Sequence, residues 1–401
     1  MLAACGWPVA ALSGYMFVVA AAAFFYRPRN ASDTPSKRLA LLVPAHNEEG
    51  LIGRCIASLL AQSYPRELYA VTVIADNCSD DTAEAARRAG ADAVMVRDEP
   101  AARGKGRALR WAMDQILDRH DAPDAIVIVD ADAVADRELL VQLTAAFEAG
   151  AEAVQADYVL EPGGDPGSDL RAGAFILVNR VRQAGRAALG QTAFLVGNGM
   201  LFSAGLLRER PWGAFTSTED LEYTLDLALG GVRVAFAGGA RITCETAPSS
   251  DAAAVQQRRW EGGRVHLMRT RAPQLVRAAL RRRSPALLGA AAELATPPLG
   301  LLASGVLSGA GIATVHAFLT RDHRGLRLWG VAVAALPAYV LTGFAAGRAP
   351  RSAWRALVGA PAFVLRKPRG LVAILRFRAD SWDRTQRANE LTVDHRPRRA
   401  G

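Results

Sequence analysis

Two carboxylates one residue apart, Asp130 and Asp132, close the stretch IVIVDADA (Ile126 to Ala133). The four residues before them are β-branched and apolar, the composition of a strand buried in a parallel sheet. Ligands of open α/β sheets bind beyond the carboxyl ends of such strands. Carboxylates at the end of a buried strand are costly unless something offsets their charge. A divalent cation gripping a diphosphate meets that need, and hard oxygen ligands suit Mg2+ or Mn2+. An isolated D-x-D is more often a strand followed by a turn, with Asp as helix cap. The chemistry therefore depends on what else the chain brings to it.

Other polar clusters are candidates: VPAHNEE (Val43 to Glu49), ADNCSDDT (Ala75 to Thr82), RGKGRAL (Arg103 to Leu109), TED (Thr218 to Asp220) and QQRRW (Gln256 to Trp260). Hydrophobic periodicity gives the elements that must position them. Leu39 to Val43 reads as a first strand, stopping at Pro44 and opening into AHNEEG, where Asn47 or a neighbour caps the next helix. That helix, Leu51 to Gln62, carries Leu51, Cys55, Leu59 and Ile52, Ile56, Leu60 on one face. A strand at Tyr69 to Ala75, a helix at Thr82 to Ala89 and a short strand at Ala93 to Val96 follow. RGKGRAL is a glycine-flanked basic turn opening a helix that ends near Asp118, before the strand of Ile126 to Val129. This alternation specifies a parallel α/β sheet. Beyond it come a helix (Leu139 to Ala149), a strand (Ala153 to Leu160), a loop and a helix (Leu170 to Leu189). GNGM (Gly197 to Met200) is a tight turn, Ser217 to Leu229 a helix and Val232 to Phe236 a strand.

With 401 residues, 51% of them hydrophobic, the chain can hold one large domain plus extra elements. Trp7 to Phe25, Leu294 to Leu319 and Leu328 to Ala346 are free of Asp, Glu, Lys and Arg. Each is close to the ~20 residues a helix needs to cross a bilayer. The net charge of +9 fits contact with anionic lipid headgroups or a phosphorylated substrate. Basic clusters beside apolar spans favour membrane lipids over nucleic acid as the partner. The four cysteines are scattered, with neither zinc-site nor disulfide spacing, as in a reduced compartment. Arg27, Arg29, Lys37 and Arg38 follow the first span, which puts the amino terminus outside and the next domain in the cytoplasm. The expectation is a multi-pass protein of the cell membrane with a cytoplasmic catalytic domain. Arg277 to Arg283 marks the cytoplasmic edge of the second span, and Pro285 to Glu293 lies along the interface, since Glu293 in mid-bilayer would be expensive. Arg321, Arg324 and Arg327 would then be external, which strains the rule. Trp354 to Phe377 fits an interfacial helix. The expected organisation is an N-terminal anchor (1–36), a catalytic domain (37–275), an interfacial segment with two spans (276–347), and an interfacial helix with a basic tail (348–401).

As an ordered set the motifs resemble the family-2 glycosyltransferases of the GT-A fold. Within them they look like the membrane-embedded branch of cellulose, hyaluronan and poly-N-acetylglucosamine synthases and ceramide glucosyltransferase. The resemblance covers Leu39 to Trp260 by motif and the flanking spans by layout. WDRTQR (Trp382 to Arg387) is similar to a W-x-R-T-x-R ending of some bacterial members. The resemblance implies an α/β GT-A domain, a nucleotide-binding and mostly parallel sheet, with flanking transmembrane and interfacial helices. It implies that Pro44, His46 and Glu48 line the nucleotide pocket, His46 departing from the Tyr or Thr often found nearby. Asp76 would hydrogen-bond the uracil, and Lys105 would approach the nucleotide or diphosphate. Asp130 and Asp132 would hold the sugar nucleotide and its metal, Asp132 more directly.

Asp220 is the expected catalytic base. Transfer with inversion needs a carboxylate to take the proton from an acceptor hydroxyl as it attacks the anomeric carbon. Glu219 is the adjacent alternative. Departure of the diphosphate is assisted by metal and by the guanidinium of Arg259. Gln256 and the flat face of Trp260 would meet the acceptor. The activity implied is a membrane-bound, metal-dependent inverting transfer from a nucleotide sugar, a UDP-sugar, to a growing polysaccharide, with accessory export proteins as further partners. The alternative is single addition to a lipid acceptor of ceramide, diacylglycerol or polyprenyl phosphate type. A scaffold or sugar-nucleotide sensor on the same fold is the third reading.

Overall fold

The computed structural model describes residues 2–30, 35–246 and 250–366. WDRTQR and the distal part of the expected interfacial helix, 367–377, lie outside them. In chain order the elements begin with helix α1 (Leu2–Ala22), strand β1 (Leu39–Ala45), α2 (Ile52–Leu60), β2 (Tyr69–Asp76), α3 (Thr82–Arg88) and β3 (Ala93–Arg97). Next come α4 (Lys105–Leu117), β4 (Ala125–Ile128), β5 (Ala133–Ala135), α5 (Leu139–Glu148), β6 (Ala153–Leu160), α6 (Pro166–Ile176) and α7 (Arg182–Ala188). They continue with β7 (Met200–Ser203), α8 (Ala204–Glu209), α9 (Glu219–Leu229), β8 (Val234–Cys244) and α10 (Ser250–Arg282). The last are α11 (Pro285–Ala295), α12 (Leu299–Thr320), α13 (Arg324–Ala346), α14 (Arg351–Ala356) and α15 (Ala360–Arg366).

Among the described residues, 28–161 and 194–266 form one unit, built on an eight-stranded sheet of order β3-β2-β1-β4-β7-β6-β8-β5. The first four neighbours are parallel, as the strand–helix alternation predicts. The other half is mixed. β7 is antiparallel to both β4 and β6, β6 and β8 are parallel, and β5 is antiparallel to β8. β4 lies in the middle with Ala125 to Val129 all at 0% exposure, which is why its sequence is uninterrupted apolar. α2 buries Ile52, Cys55, Ile56 and Leu59 against this sheet, the face expected from the spacing of four. Asn47 does not cap α2. It sits in the left-handed region (φ 56°) and pairs instead with Ser79, donating to its Oγ at 3.0 Å and accepting from its amide at 2.7 Å. Short asparagine side chains tolerate that backbone, and the exchange ties the end of β1 to the loop after β2.

Residues 2–27, 162–193 and 267–366 form the other unit. Three of its helical stretches, Gly6–Phe25, Leu299–Thr320 and Arg324–Ala346, are long and apolar enough to cross a membrane. Their core includes Met16, Leu177, Val306, Leu336, Tyr339 and Phe344. The run expected as one helix at Leu170 to Leu189 is α6 and α7 joined by a π turn at Leu177–Val181. α7 crosses α1 at Gly185, where a methyl group would stand 1.8 Å from the Val19 carbonyl oxygen, so only glycine fits. Glu293 is buried, and two arginines offset its charge. Arg182 pairs with it, and Arg186 lies 3.8 Å from its other oxygen. Arg186 also donates to the Tyr15 hydroxyl and to the Gly289 carbonyl.

Candidate active site

The end of β4 is the anchor. Cys55 of α2 donates its S–H to the Asp130 carbonyl at 3.4 Å, and the Asp130 amide donates to Asn198 Oδ1 at 3.1 Å. The turn is thus held from both sides before its side chains are considered. Lys105 is the first residue of α4, entered through Gly104 at φ 121°. The next residue, Gly106, packs so closely on the Ala214 carbonyl that a methyl group would come within 2.2 Å. That approach brings Lys105 over β4, where Nζ donates to Asp130 Oδ1 at 2.5 Å and to the Gly197 carbonyl at 2.6 Å. Glu219 lies 3.9 Å from the same ammonium. The Lys105 and Asp130 side chains keep 23% and 29% of their surface accessible, so a ligand can reach the pair.

Gly197, Asn198 and Gly199 connect this pair to the catalytic candidate. Gly197 and Gly199 have φ of 84° and 66°, which glycine adopts without strain. Buried Gln155 supports the turn, donating to the Asn198 carbonyl at 2.7 Å and accepting from the Val196 amide at 2.9 Å. Asn198 Nδ2 also approaches Cys244 Sγ at 3.5 Å, and that sulfur lies 3.8 Å from Asp132 Oδ1. Gly197 faces Asp220 closely: a methyl group there would stand 3.2 Å from Asp220 Oδ2. Asp220 is the second residue of α9. Its Oδ1 accepts from the Leu221 amide at 2.7 Å, and its carbonyl accepts from Thr224 Oγ1 at 2.8 Å. Thr224 accepts in turn from the Leu195 amide at 3.0 Å. One short segment, 195–199, therefore sets Asp130, Lys105 and Asp220 against each other.

The electrostatics follow from this crowding. Burial, and then the neighbouring Glu219 carboxylate, push the Asp220 carboxyl up to about 7. Burial also raises Asp130, with Asp132 and Glu219 adding to it against the pull of Lys105. Burial would lower Lys105, but Asp130 and Glu219 outweigh it and hold the ammonium above its ordinary value. The site is a lysine among carboxylates, one of which is poised to exchange a proton near neutrality.

The remaining sequence candidates lie on neighbouring elements. At the ends of β1 and β2, His46 Nδ1 meets the Asp76 carbonyl at 2.8 Å. Asp76 Oδ1 is bound by the buried Arg97 at 2.6 Å and by Asn77 at 2.8 Å. Pro44 is in β1, opposite Ile74, and the Glu48 amide donates to Thr82 Oγ1 at 2.8 Å. Gln256, Arg259 and Trp260 share one face of α10 by their spacing of three and four. Gly263, one turn on, presses against Thr218, since a methyl group there would come within 2.5 Å of its side chain. This places the Arg259 face beside the turn that leads into Glu219 and Asp220. Arg259 Nε is buried and meets no hydrogen-bond acceptor among the described residues.

Sequence reasoning missed Arg97 and Asn198. A buried arginine closing an apolar strand (VMVR) was a signal for the first. GNGM was legible only as a turn, because the partners of Asn198 come from distant strands. A metal ion fits the donor set in one way. No cluster of three or more His, Cys, Asp or Glu among the described residues could hold a cation. Asp130 and Asp132, one residue apart, offer two carboxylates, and Mg2+ is commonly held by one or two carboxylates together with substrate phosphates.

Residues 35–263, more than half of the chain, match the family described as "Glycosyltransferase like family 2". The chain belongs to that family. A mannosyltransferase, PcManGT from Pyrobaculum calidifontis, in complex with GDP-Man and Mn2+, shares the fold of this glycosyltransferase. The match covers 94% of this chain and 95% of that chain, with a TM-score of 0.51 at 21% identity. A beta-monoglucosyldiacylglycerol synthase from Synechocystis sp. is 26% identical over 246 residues, 58% of this chain and 49% of that protein. A dolichyl-phosphate beta-glucosyltransferase from Drosophila melanogaster is 36% identical over 91 residues, 20% of this chain and 28% of that protein. The chain spans about half the length of the glucosyldiacylglycerol synthases it matches.

Proposed function

We propose that this glycosyltransferase is a membrane-bound inverting enzyme that adds one sugar from a UDP-sugar to a hydroxyl-bearing lipid. The observation that carries the reading is the placement of Asp220 across Gly197 from the Lys105–Asp130 pair. The acceptor hydroxyl gives its proton to Asp220 as its oxygen bonds to the anomeric carbon, and the bond to the diphosphate breaks on the opposite side. Lys105 and Arg259 neutralise the departing diphosphate. Asp130 and Asp132 would hold Mg2+ or Mn2+, which would supply further charge neutralisation when bound. Pro44, His46, Glu48 and Asp76 form the nucleotide end of the pocket, with Arg97 holding Asp76 in place. Gln256 and Trp260 meet the acceptor. The catalytic unit faces the cytoplasm, with the amino terminus outside, in keeping with the arginines after the first span.

A lipid acceptor is favoured by the relatives, whose names specify glucosyldiacylglycerol synthesis and dolichyl-phosphate glucosylation. Extension of a polysaccharide is the second reading, favoured by the Gln256-x-x-Arg259-Trp260 pattern on α10. Turnover by the purified protein decides between them. Nucleoside diphosphate release is followed with a panel of nucleotide sugars, Mn2+ and either diacylglycerol or no lipid, and the products are sized. One sugar per lipid, with release dependent on lipid, supports the proposal. A ladder of long products without lipid overturns it in favour of the polymer.

A further inference from the structure

The apolar helices carry their exposed positive charge mainly at one end. α1 and α13 run in parallel, since Gly6 lies against Leu328 and Trp329 near both starts, and Ala20 lies against Gly343 near both ends. α12 reaches α13 through only three residues and so runs the other way. Ser304, near the start of α12, donates to the Val364 carbonyl in α15, beyond the end of α13. α11 belongs to the same end. Its Gly289 accepts from Arg186 of α7, and α7 packs at Gly185 on Val19 near the close of α1.

One end of the bundle therefore holds the α12–α13 turn, with Arg321, Arg324 and Arg327 beside Asp322. The other end holds Arg27 after α1 and the closing turns of α10, with Arg277, Arg281, Arg282 and Arg283 exposed. Arg348, Arg351 and Arg355, also exposed, follow α13 at this end. No Asp or Glu occurs in 262–292 or in 323–366, so the sequence there is rich in arginine and free of acidic residues. Aliphatic side chains stand exposed among them: Val276 at 39%, Leu280 at 72%, Leu288 at 55% and Val358 at 87%. Val276 and Leu280 are four apart and form a stripe flanked by Arg277 and Arg281. Arginines beside exposed aliphatics suit the level where headgroups meet acyl chains, the guanidinium reaching the phosphates while its stem covers apolar surface. A cluster of exposed arginines prefers acidic headgroups over zwitterionic ones.

We propose that the end of the bundle carrying Arg277–Arg283 and Arg348–Arg355 binds anionic phospholipid headgroups. The test is native mass spectrometry of the full chain in detergent with equimolar phosphatidylglycerol and phosphatidylcholine, without nucleotide sugar, so that acceptor chemistry plays no part. The wild type retains phosphatidylglycerol preferentially. R281Q/R282Q/R283Q lowers that preference, each arginine near an acidic surface being worth roughly fivefold. R321Q/R324Q/R327Q, at the opposite end, leaves it unchanged. Equal retention of both lipids by the wild type overturns the proposal, as does an equal loss in both triple variants. Should the first triple fail to fold, R348Q/R351Q/R355Q reads the same end, and the wild-type ratio decides by itself.

Discussion

Asp220 and Lys105 lie on either side of Gly197, and the protonation of each is set by burial together with the carboxylates around it. Folding raises the Asp220 carboxyl from its ordinary 3.8 to about 7. Only the deprotonated form can accept a proton, so kcat/KM should rise with pH and level off above about 7, as initial rates between about pH 5 and 9 would show. The stability term has the opposite sign. A carboxyl raised on folding favours the folded state most below its unfolded value, and that contribution is lost as pH rises through about 7. Asp220→Asn should remove both slopes, and a wild-type rate already flat with pH would contradict the assignment. Asn198 tests the support of the same site, because its side chain touches both the Asp130 amide and Cys244. Asn198→Ala should raise the donor KM about tenfold while the protein stays folded, the usual effect of removing an outer-shell partner. Asp130, Lys105 and Asp220 were legible because charged residues at strand and helix ends stand out against apolar neighbours. Asn198 and Arg97 were not, because their roles depend on which distant strands lie next to each other.

The long elements of the unit built on the eight-stranded sheet were legible because each carries a period. β1, β2 and β4 are apolar runs, and α2 repeats its buried face every fourth residue. β5 and β7, of three and four residues, are too short to show any period, and β7 follows directly from the glycine turn. β8 runs to Cys244, past its expected end at Phe236, because its pairing with β6 skips Gly238 to Ala240, which in sequence look like a loop. Gly106 shows how an element places a side chain of the candidate site. Gly106→Ala would force a methyl group to within 2.2 Å of the Ala214 carbonyl and push the first turn of α4 away. The expected cost is about 1–3 kcal/mol, the range for overpacking. A lower kcat should accompany it, because Lys105 moves with that turn. Thermal unfolding and steady-state rates check both, and unchanged values in both would contradict the packing described.

At the scale of the whole molecule, three apolar stretches were legible from composition alone, since few other segments of this length lack charge. The grouping of 162–193 with those helices was not, because a π turn and a loop of glycines and prolines interrupt its pattern. The Arg182–Glu293–Arg186 cluster was equally hidden, Glu293 lying more than one hundred residues from the two arginines. Glu293→Ala would leave two guanidinium groups buried without their counter-charge, at a cost of about 3–5 kcal/mol. Unfolding in detergent should show the loss, and the Asp220 chemistry should be intact in the fraction that remains folded. The measurement that tests the central claim most directly is single-turnover sugar transfer by Asp220→Asn beside its affinity for the nucleotide sugar. Transfer should fall by at least about 100-fold, the contribution of a positioned base, with donor affinity unchanged. Near-wild-type transfer by Asp220→Asn would contradict the assignment of the base and the reading of the site built on it.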